Sequence, residues 1–355
     1  MRRFGHIQRL EGNRYRVYWP ENGVKRSHRM EGTLKDAELF LARKRIETGG
    51  TVPDCLMRDY WRIAVVPTFG NLAQRTAYDY SRRWQHDLEP RFGNVPVSSI
   101  TWRYAESALA TIESPIVQRD AFRLLKKVLN MAVRDGLISS NPVAGGVKLK
   151  PYRKREKTLY DRDTVRDVLA RAIGFKHYPL IVMELGCGLR HEEACAVTRS
   201  DVSVLEYRER LYASVSVSKA LTSVDSKKVL KDTKTAFSGR EVLLGGALRD
   251  ALLATKDRLP IDTGEQSSPV TISHNWKRYA TNNGIPYIPF ANMRTNYSVL
   301  HAEAGSLDSL VSLSLGHSDG TTRGRHYMEQ TRAGLVLIVD NLSEYIGSVP
   351  FGTSN

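Results

Sequence analysis

Five side chains, Arg190, Lys234, Arg294, His317 and Tyr327, follow one another along a chain of 355 residues. Together they supply what phosphodiester transfer without metal or ATP demands: cations around the phosphate, an acid for the departing alkoxide and an in-line nucleophile. Arg190 lies in Gly186-Cys187-Gly188-Leu189-Arg190-His191-Glu192-Glu193-Ala194, after an apolar run. Two glycines permit a tight turn before a second helix. Arg190 is therefore expected near a helix N-terminus, where backbone N–H groups and a planar guanidinium both face a phosphate. Glu193, one turn later, can steady that guanidinium; read alone, the pair only stabilises a helix start.

Thr233-Lys234-Thr235, ahead of Ser238, Arg240, Val242 and Leu244, reads as a lysine-bearing hairpin entering a buried strand. A lysine there can protonate a leaving oxygen when neighbouring cations lower its pKa. Lys227, Lys228 and Lys231 compete for the role. Met293-Arg294-Thr295 follows a proline-containing stretch at 285–290 and opens an apolar helix, so Arg294 offers a second fork on the phosphate. In Leu315-Gly316-His317-Ser318 the imidazole can donate to a nonbridging oxygen; alone it reads as a helix-end or core histidine. Tyr327 sits in Arg323-Gly324-Arg325-His326-Tyr327-Met328. A phenol of pKa about 10 is a poor nucleophile unless cations stabilise its anion as it attacks.

Taken in order, G-x-G-L-R-x-x-E, T-K-T before a strand, M-R-T, L-G-H-S and then Tyr resemble the catalytic domain of the tyrosine recombinase (phage integrase) family. The resemblance implies that Tyr327 attacks a scissile phosphate, forms a 3′-phosphotyrosyl bond and frees a 5′-hydroxyl. Arg190, Lys234, Arg294 and His317 complete the pocket, with Glu193 in support. The bond energy stays in the phosphotyrosine, so another 5′-hydroxyl reverses the step and no metal, ATP or other cofactor is expected. Two departures stand out. The family has a histidine three residues before the second arginine, where this chain has Ala291, so slower chemistry is expected unless Asn292, a water or a neighbour substitutes. The interval from His317 to Tyr327 is ten residues, about one longer than usual. His326 stands at the usual distance but would form a labile phosphoramidate, and Tyr297 is a poor alternative because it follows Arg294 on its helix.

The elements that must hold these residues suggest a multidomain chain: a small α+β three-stranded arm-binding module at 1–50, an all-α core-binding domain at 53–146, and a mixed α+β, mainly helical catalytic domain at 155–346. Strands are expected at 5–10, 13–19 and 24–30, with turns at Glu11-Gly12 and Pro20-Glu21-Asn22-Gly23. A helix at 34–47 follows, capped by Thr33, with Asp36 and Glu38 near its positive end and Arg43, Lys44 and Arg45 near its negative end. Tyr15, Val17 and Trp19 alternate with Arg14, Arg16 and Tyr18, so one face packs on the helix and the other presents guanidinium groups to DNA. Helical periodicity recurs at 56–65, 76–88, 104–111 and 117–135, the last placing Lys126 and Lys127 beside an apolar stripe as candidate DNA contacts. Gly136 should end that helix, and an extended link at 143–157 should follow Asn141-Pro142. The front segment resembles integrase arm-binding modules; the helical block, with Gly136-Leu137-Ile138 and Asn141-Pro142, resembles the family's core-binding domain. Beyond it, strands are expected at 211–219 and 240–244 with one more between them, and a C-terminal helix at 335–346 is a candidate for packing against a neighbouring protomer.

Composition agrees with a polyanionic partner. Fifty-three basic against 38 acidic residues give a net charge of +15, which attracts nucleic acid. Three cysteines without a C-x-x-C pair suggest neither a disulfide framework nor a zinc cluster. No apolar run approaches the roughly 18 to 20 residues of a membrane span, and the start lacks a signal-peptide pattern, so a cytoplasmic, nucleoid-bound location is expected. The expected partners are double-stranded core and arm attachment sites, three further copies of the chain in a homotetramer on DNA, and DNA-bending and excision factors. Two other functions fit parts of the pattern: a noncatalytic DNA-binding protein that keeps the fold, motivated by Ala291, and a type IB topoisomerase-like enzyme, disfavoured by the arm-like module.

Overall fold

Alternation in the front segment builds the first sheet. In the computed structural model, which describes residues 4–21, 23–48, 55–153, 158–232, 239–316 and 332–349, β1 (His6–Arg9), β2 (Arg14–Glu21) and β3 (Val24–Glu31) pair antiparallel in that order. Pro20 and Glu21, expected in the turn, extend β2, and the chain reverses past Gly23 at φ +78°. Tyr15, Val17 and Trp19 are buried against helix α1 (Leu34–Glu47), which contributes Ala37, Phe40 and Leu41. Thr33 and Asp36 cap α1 reciprocally: the Asp36 N–H donates to Thr33 Oγ1 at 3.2 Å, and the Thr33 N–H donates to Asp36 Oδ2 at 2.9 Å. Those bonds hold the Asp36 carboxyl below its ordinary range.

The chain divides into two compact units, Met1–Lys154 and Arg155–Asn355. In the first unit the sheet module meets the helical block through the ion pairs Lys35–Asp59 and Asp36–Arg62. That block begins with α2 (Met57–Tyr60), which widens into a π turn at Trp61–Val65. It continues through α3 (Gln74–Arg83), α4 (Glu89–Phe92), α5 (Trp102–Ala110) and α6 (Pro115–Arg134). Thr101 and Ser114 cap α5 and α6, and Gly136, at φ +72°, follows α6 as expected. The apolar stripe of α6, including Leu125, Val128 and Leu129, lies in a core with Met57, Leu88 and the stacked pair Trp61–Trp84. The segment expected as an extended link is fastened to this block up to Lys150. Val143 is fully buried, and the buried amide of Gln118 accepts from the Lys150 N–H at 2.7 Å. An apolar side chain and a buried polar group that needs a partner hold the strap down.

The second unit is organised around α8 (Tyr178–Cys187), whose ten residues are all buried. Around it lie α7 (Arg162–Arg171), α9 (His191–Ala194), α10 (Gly246–Thr255), α11 (Pro269–Asn282), α12 (Phe290–Glu303), α13 (Asp308–Ser314) and α14 (Arg332–Ile346). A sheet of order β4 (Val202–Tyr207), β5 (Arg210–Val217), β8 (Arg240–Leu244) packs on it. A separate hairpin joins β6 (Lys219–Val224) to β7 (Lys227–Asp232). This corrects the expected strand count: β4 precedes the first expected strand, and two strands rather than one lie between β5 and β8. The two-residue turns Arg208-Glu209 and Asp225-Ser226 take positive φ without Gly or Asn, so neither carried the usual hairpin signal. The expected C-terminal helix forms as α14, but packing against a neighbouring protomer is not what its apolar face serves within this chain. Its apolar face, with Leu335, Ile338, Val339, Leu342 and Ile346, is buried in its own unit against β8, α10, α12 and α13, leaving Leu337 exposed. No described helix is long and apolar enough to cross a membrane.

Candidate active site

Gly188 ends α8 in the left-handed region, at φ +64°. A Cβ there would lie 2.5 Å from the Tyr297 ring and 2.6 Å from Leu315, so only glycine lets the chain turn this close to α12. The turn delivers Arg190 to the N-cap of α9, half exposed, with Glu193 buried behind it. Arg190 Nη1 donates to Glu193 Oε1 at 2.7 Å, and the Arg190 backbone N–H donates to Glu193 Oε2 at 3.0 Å. The same Oε2 accepts from Arg240 Nη2 at 2.9 Å. Arg240 is almost wholly buried, its side chain 2% exposed, and its Nε donates to the Ser314 carbonyl at 2.7 Å. Arg294, on α12, donates from Nη1 to the Gly188 carbonyl at 2.7 Å and from Nη2 to the Leu315 carbonyl at 2.8 Å.

Electrostatics follow from this arrangement. Burial pushes the Glu193 carboxyl up, but the hydrogen bond and charge of Arg240, together with the Arg190 bonds, outweigh it and hold the group below its ordinary 4.5. Burial and the nearby charges of Arg190 and Arg240 lower Arg294 to about 10, against the pull of Glu193, so it stays protonated at neutral pH. Two guanidinium groups thus pair with the Glu193 carboxylate, and the Arg294 guanidinium lies near enough to feel all three charges, an excess of positive charge suited to an anion. Tyr297 is ruled out as a nucleophile here: it is buried, its hydroxyl donates to Ser314 Oγ at 2.8 Å, and burial raises its pKa.

A second charged pair lies behind Arg190. His191 Nδ1 meets the fully buried Glu184 carboxylate at 2.7 Å, Nε2 meets the Pro269 carbonyl at 2.9 Å, and the ring stacks on Phe290. Both ring nitrogens face acceptors, which favours the imidazolium. Burial opposes that charge, but the Glu184 bond and charge outweigh it and raise His191 above 6.5; burial lifts Glu184 itself to about 7.

Among the expected residues, Arg190, Glu193 and Arg294 come together. Lys234, His317, His326 and Tyr327 lie outside the described residues. Of the competing lysines, all on β7, Lys228 is tied to the carbonyls of Gly264 and Gln266. Ala291 is exposed, and the Asn292 amide donates to the Thr158 carbonyl at 3.4 Å. In the first unit, Arg14 is exposed and Arg16 half-buried, aligned with Gln8 and Arg29 on the outer sheet face. Lys126 bonds the Ala144 carbonyl, and Lys127 lies 4.6 Å from the centre of the Tyr80 ring. Sequence reasoning missed Arg240, although period-two alternation places it on the same strand face as the buried Val242 and Leu244. A charge at an inward position was the available signal.

No family model matches the sequence. The integrase of Mycobacterium phage D29 is 25% identical over 300 residues, spanning 79% of this chain and 76% of that protein. The Tn1549 transposon integrase, solved with transposon right end DNA, superimposes with a TM-score of 0.59 at 18% identity, covering 81% of this chain and 100% of that one. A lambda integrase tetramer bound to a Holliday junction gives a TM-score of 0.53 at 15% identity, covering 89% and 96%. The ordered motifs from Gly186 onward and the likeness to phage integrases support the tyrosine recombinase (phage integrase) family, and the two solved integrases share the fold.

Proposed function

We propose that this chain is a site-specific DNA recombinase that cleaves and rejoins DNA through a 3′-phosphotyrosyl bond, integrating or excising a phage or mobile element. The observation that carries the reading is the cluster of Arg190, Glu193, Arg240 and Arg294, in which Arg190 keeps its outer edge open to solvent. A scissile phosphate docks on that edge, and the surplus positive charge stabilises the extra negative charge of the pentacoordinate transition state. Tyr327 attacks phosphorus as the bond to the 5′-oxygen breaks, and Lys234 gives that oxygen its proton. His317 donates to a nonbridging oxygen. With alanine at position 291, more of the stabilisation falls on the arginines, and the chemistry is expected to be slow.

Recombining two duplexes takes two cuts on each, which calls for four protomers on DNA. The lambda integrase tetramer on a Holliday junction supports that assembly for this chain. Residues 1–50 serve as the arm-site module, with Arg14 and Arg16 on its DNA face; residues 53–146 bind core DNA, with Lys126 and Lys127 among the contacts; residues 155–346 carry the chemistry. DNA-bending and excision factors complete the partner set, and the protein works on the host nucleoid. Incubation with a nicked cognate half-site tests the proposal: a covalent protein–DNA adduct is expected, lost in Tyr327→Phe. A parent protein that binds the half-site without forming an adduct would instead be a noncatalytic binder.

A further inference from the structure

We infer that Arg240 is a positioning residue that sets the direction of the Arg190 guanidinium. The inference rests on the strand-transfer reading above. An isolated guanidinium at an inward strand position is costly, and a well-packed apolar side chain commonly serves stability there as well or better. What the guanidinium does at this position is join three segments. Its Nη2 holds Glu193 Oε2, while the other oxygen of that carboxylate holds Arg190 Nη1. Its Nε holds the carbonyl of Ser314, at the C-terminus of α13, where helix carbonyls lack intrahelical partners. Gly316, at φ +67°, packs over the same group: a Cβ there would stand 3.2 Å from Arg240 Nη1.

Arg190 is half exposed and long, so without a fixed acceptor it samples many rotamers. Glu193 selects one of them, and Arg240 keeps Glu193 in place. Arg294 acts in parallel by holding Leu315, so two guanidinium groups grip successive carbonyls just before the turn. A lysine at 240 keeps the charge, but a compact ammonium does not reproduce the planar fork that spans Glu193 and Ser314.

The test compares the parent with Arg240→Lys and Arg240→Gln, each checked for folding by thermal melting. If Arg240→Gln does not fold, Arg240→Lys and the charge-balanced pair Glu193→Gln with Arg240→Gln take its place. With saturating nicked half-site, single-turnover adduct formation should slow about 100-fold, the scale of a misplaced reacting group, while half-site affinity changes less than about threefold. In a double-mutant cycle, Arg240→Lys should slow an Arg190→Lys protein little further, because it acts through Arg190; a general structural defect would multiply the two losses. Guanidinium NMR of the DNA-free protein supplies a readout independent of chemistry. Arg190 should show hindered Nη rotation in the parent and free rotation in Arg240→Lys. Unchanged Arg190 rotation overturns the inference, as does multiplicative loss in the cycle. A parent that forms no adduct overturns the strand-transfer reading instead, and the NMR result still decides the role of Arg240.

Discussion

Glu193 stays ionised in surroundings that would neutralise a solitary carboxylate, and its charge makes the arginine cluster tolerable to the fold. Glu193→Gln should therefore cost about 2–3 kcal/mol in urea unfolding at neutral pH, below the about 3–5 expected for breaking a buried pair outright, because the amide oxygen still accepts one bond. The folded pKa is depressed, so this stability is present above the ordinary 4.5 and is lost as pH falls through the folded value. The Glu184–His191 pair has the opposite sign. Both groups hold protons more tightly in the folded chain, so their contribution is full at low pH and falls as pH rises, from 4.5 to about 7 for Glu184 and above 6.5 for His191. Melting temperatures measured from pH 5 to 9 should decline across neutrality in the parent and flatten in Glu184→Gln. An unchanged slope in that variant would mean that the pair does not govern it.

Elements position these residues through close approaches that tolerate little change. Gly188→Ala would force a side chain into the left-handed region and against the Tyr297 ring, so a loss of about 2–4 kcal/mol is expected. Denaturant titration with the intact protein would measure it, and a variant as stable as the parent would show that α12 yields at this point. The same geometry explains what could be read from the sequence. The first sheet and α1 were legible because strict alternation and a Thr33–Asp36 cap agree with the tertiary packing. The α8 helix and the Gly188 turn were legible because an apolar run ends at Gly186-Cys187-Gly188, with Leu189 and then the polar run Arg190-His191-Glu192-Glu193 after it. The β4 strand was not, since it is an edge strand in which only Val202 is buried, and its turn uses Arg208-Glu209. Arg240 was passed over because its partners, Glu193 and Ser314, are 47 and 74 residues away in sequence, and no local pattern announces them.

At the scale of the whole molecule, a net charge of +15 must be balanced by an anion in use, and the outer face of the first sheet shows where some of the strain sits. Arg16 on β2 is directly opposite Arg29 on β3, a like-charged cross-strand pair that destabilises a sheet standing alone. His6 and Lys25 flank them, both packed on the Tyr18 ring, so this face combines cations with an aromatic platform. If the face meets arm-site DNA, a phosphate between the two arginines relieves their repulsion on binding. Arg16→Ala should then leave the melting temperature of the free protein unchanged or slightly higher, while arm-site affinity falls. The slope of log K against log salt should become shallower by about 0.9 for each phosphate contact removed. Cleavage of an isolated core half-site should keep its parental rate, because residues 155–346 carry that chemistry in the proposed division of labour. Equal loss of arm binding and core cleavage in Arg16→Ala would count against the division. A lower melting temperature would instead give Arg16 a structural task within the sheet.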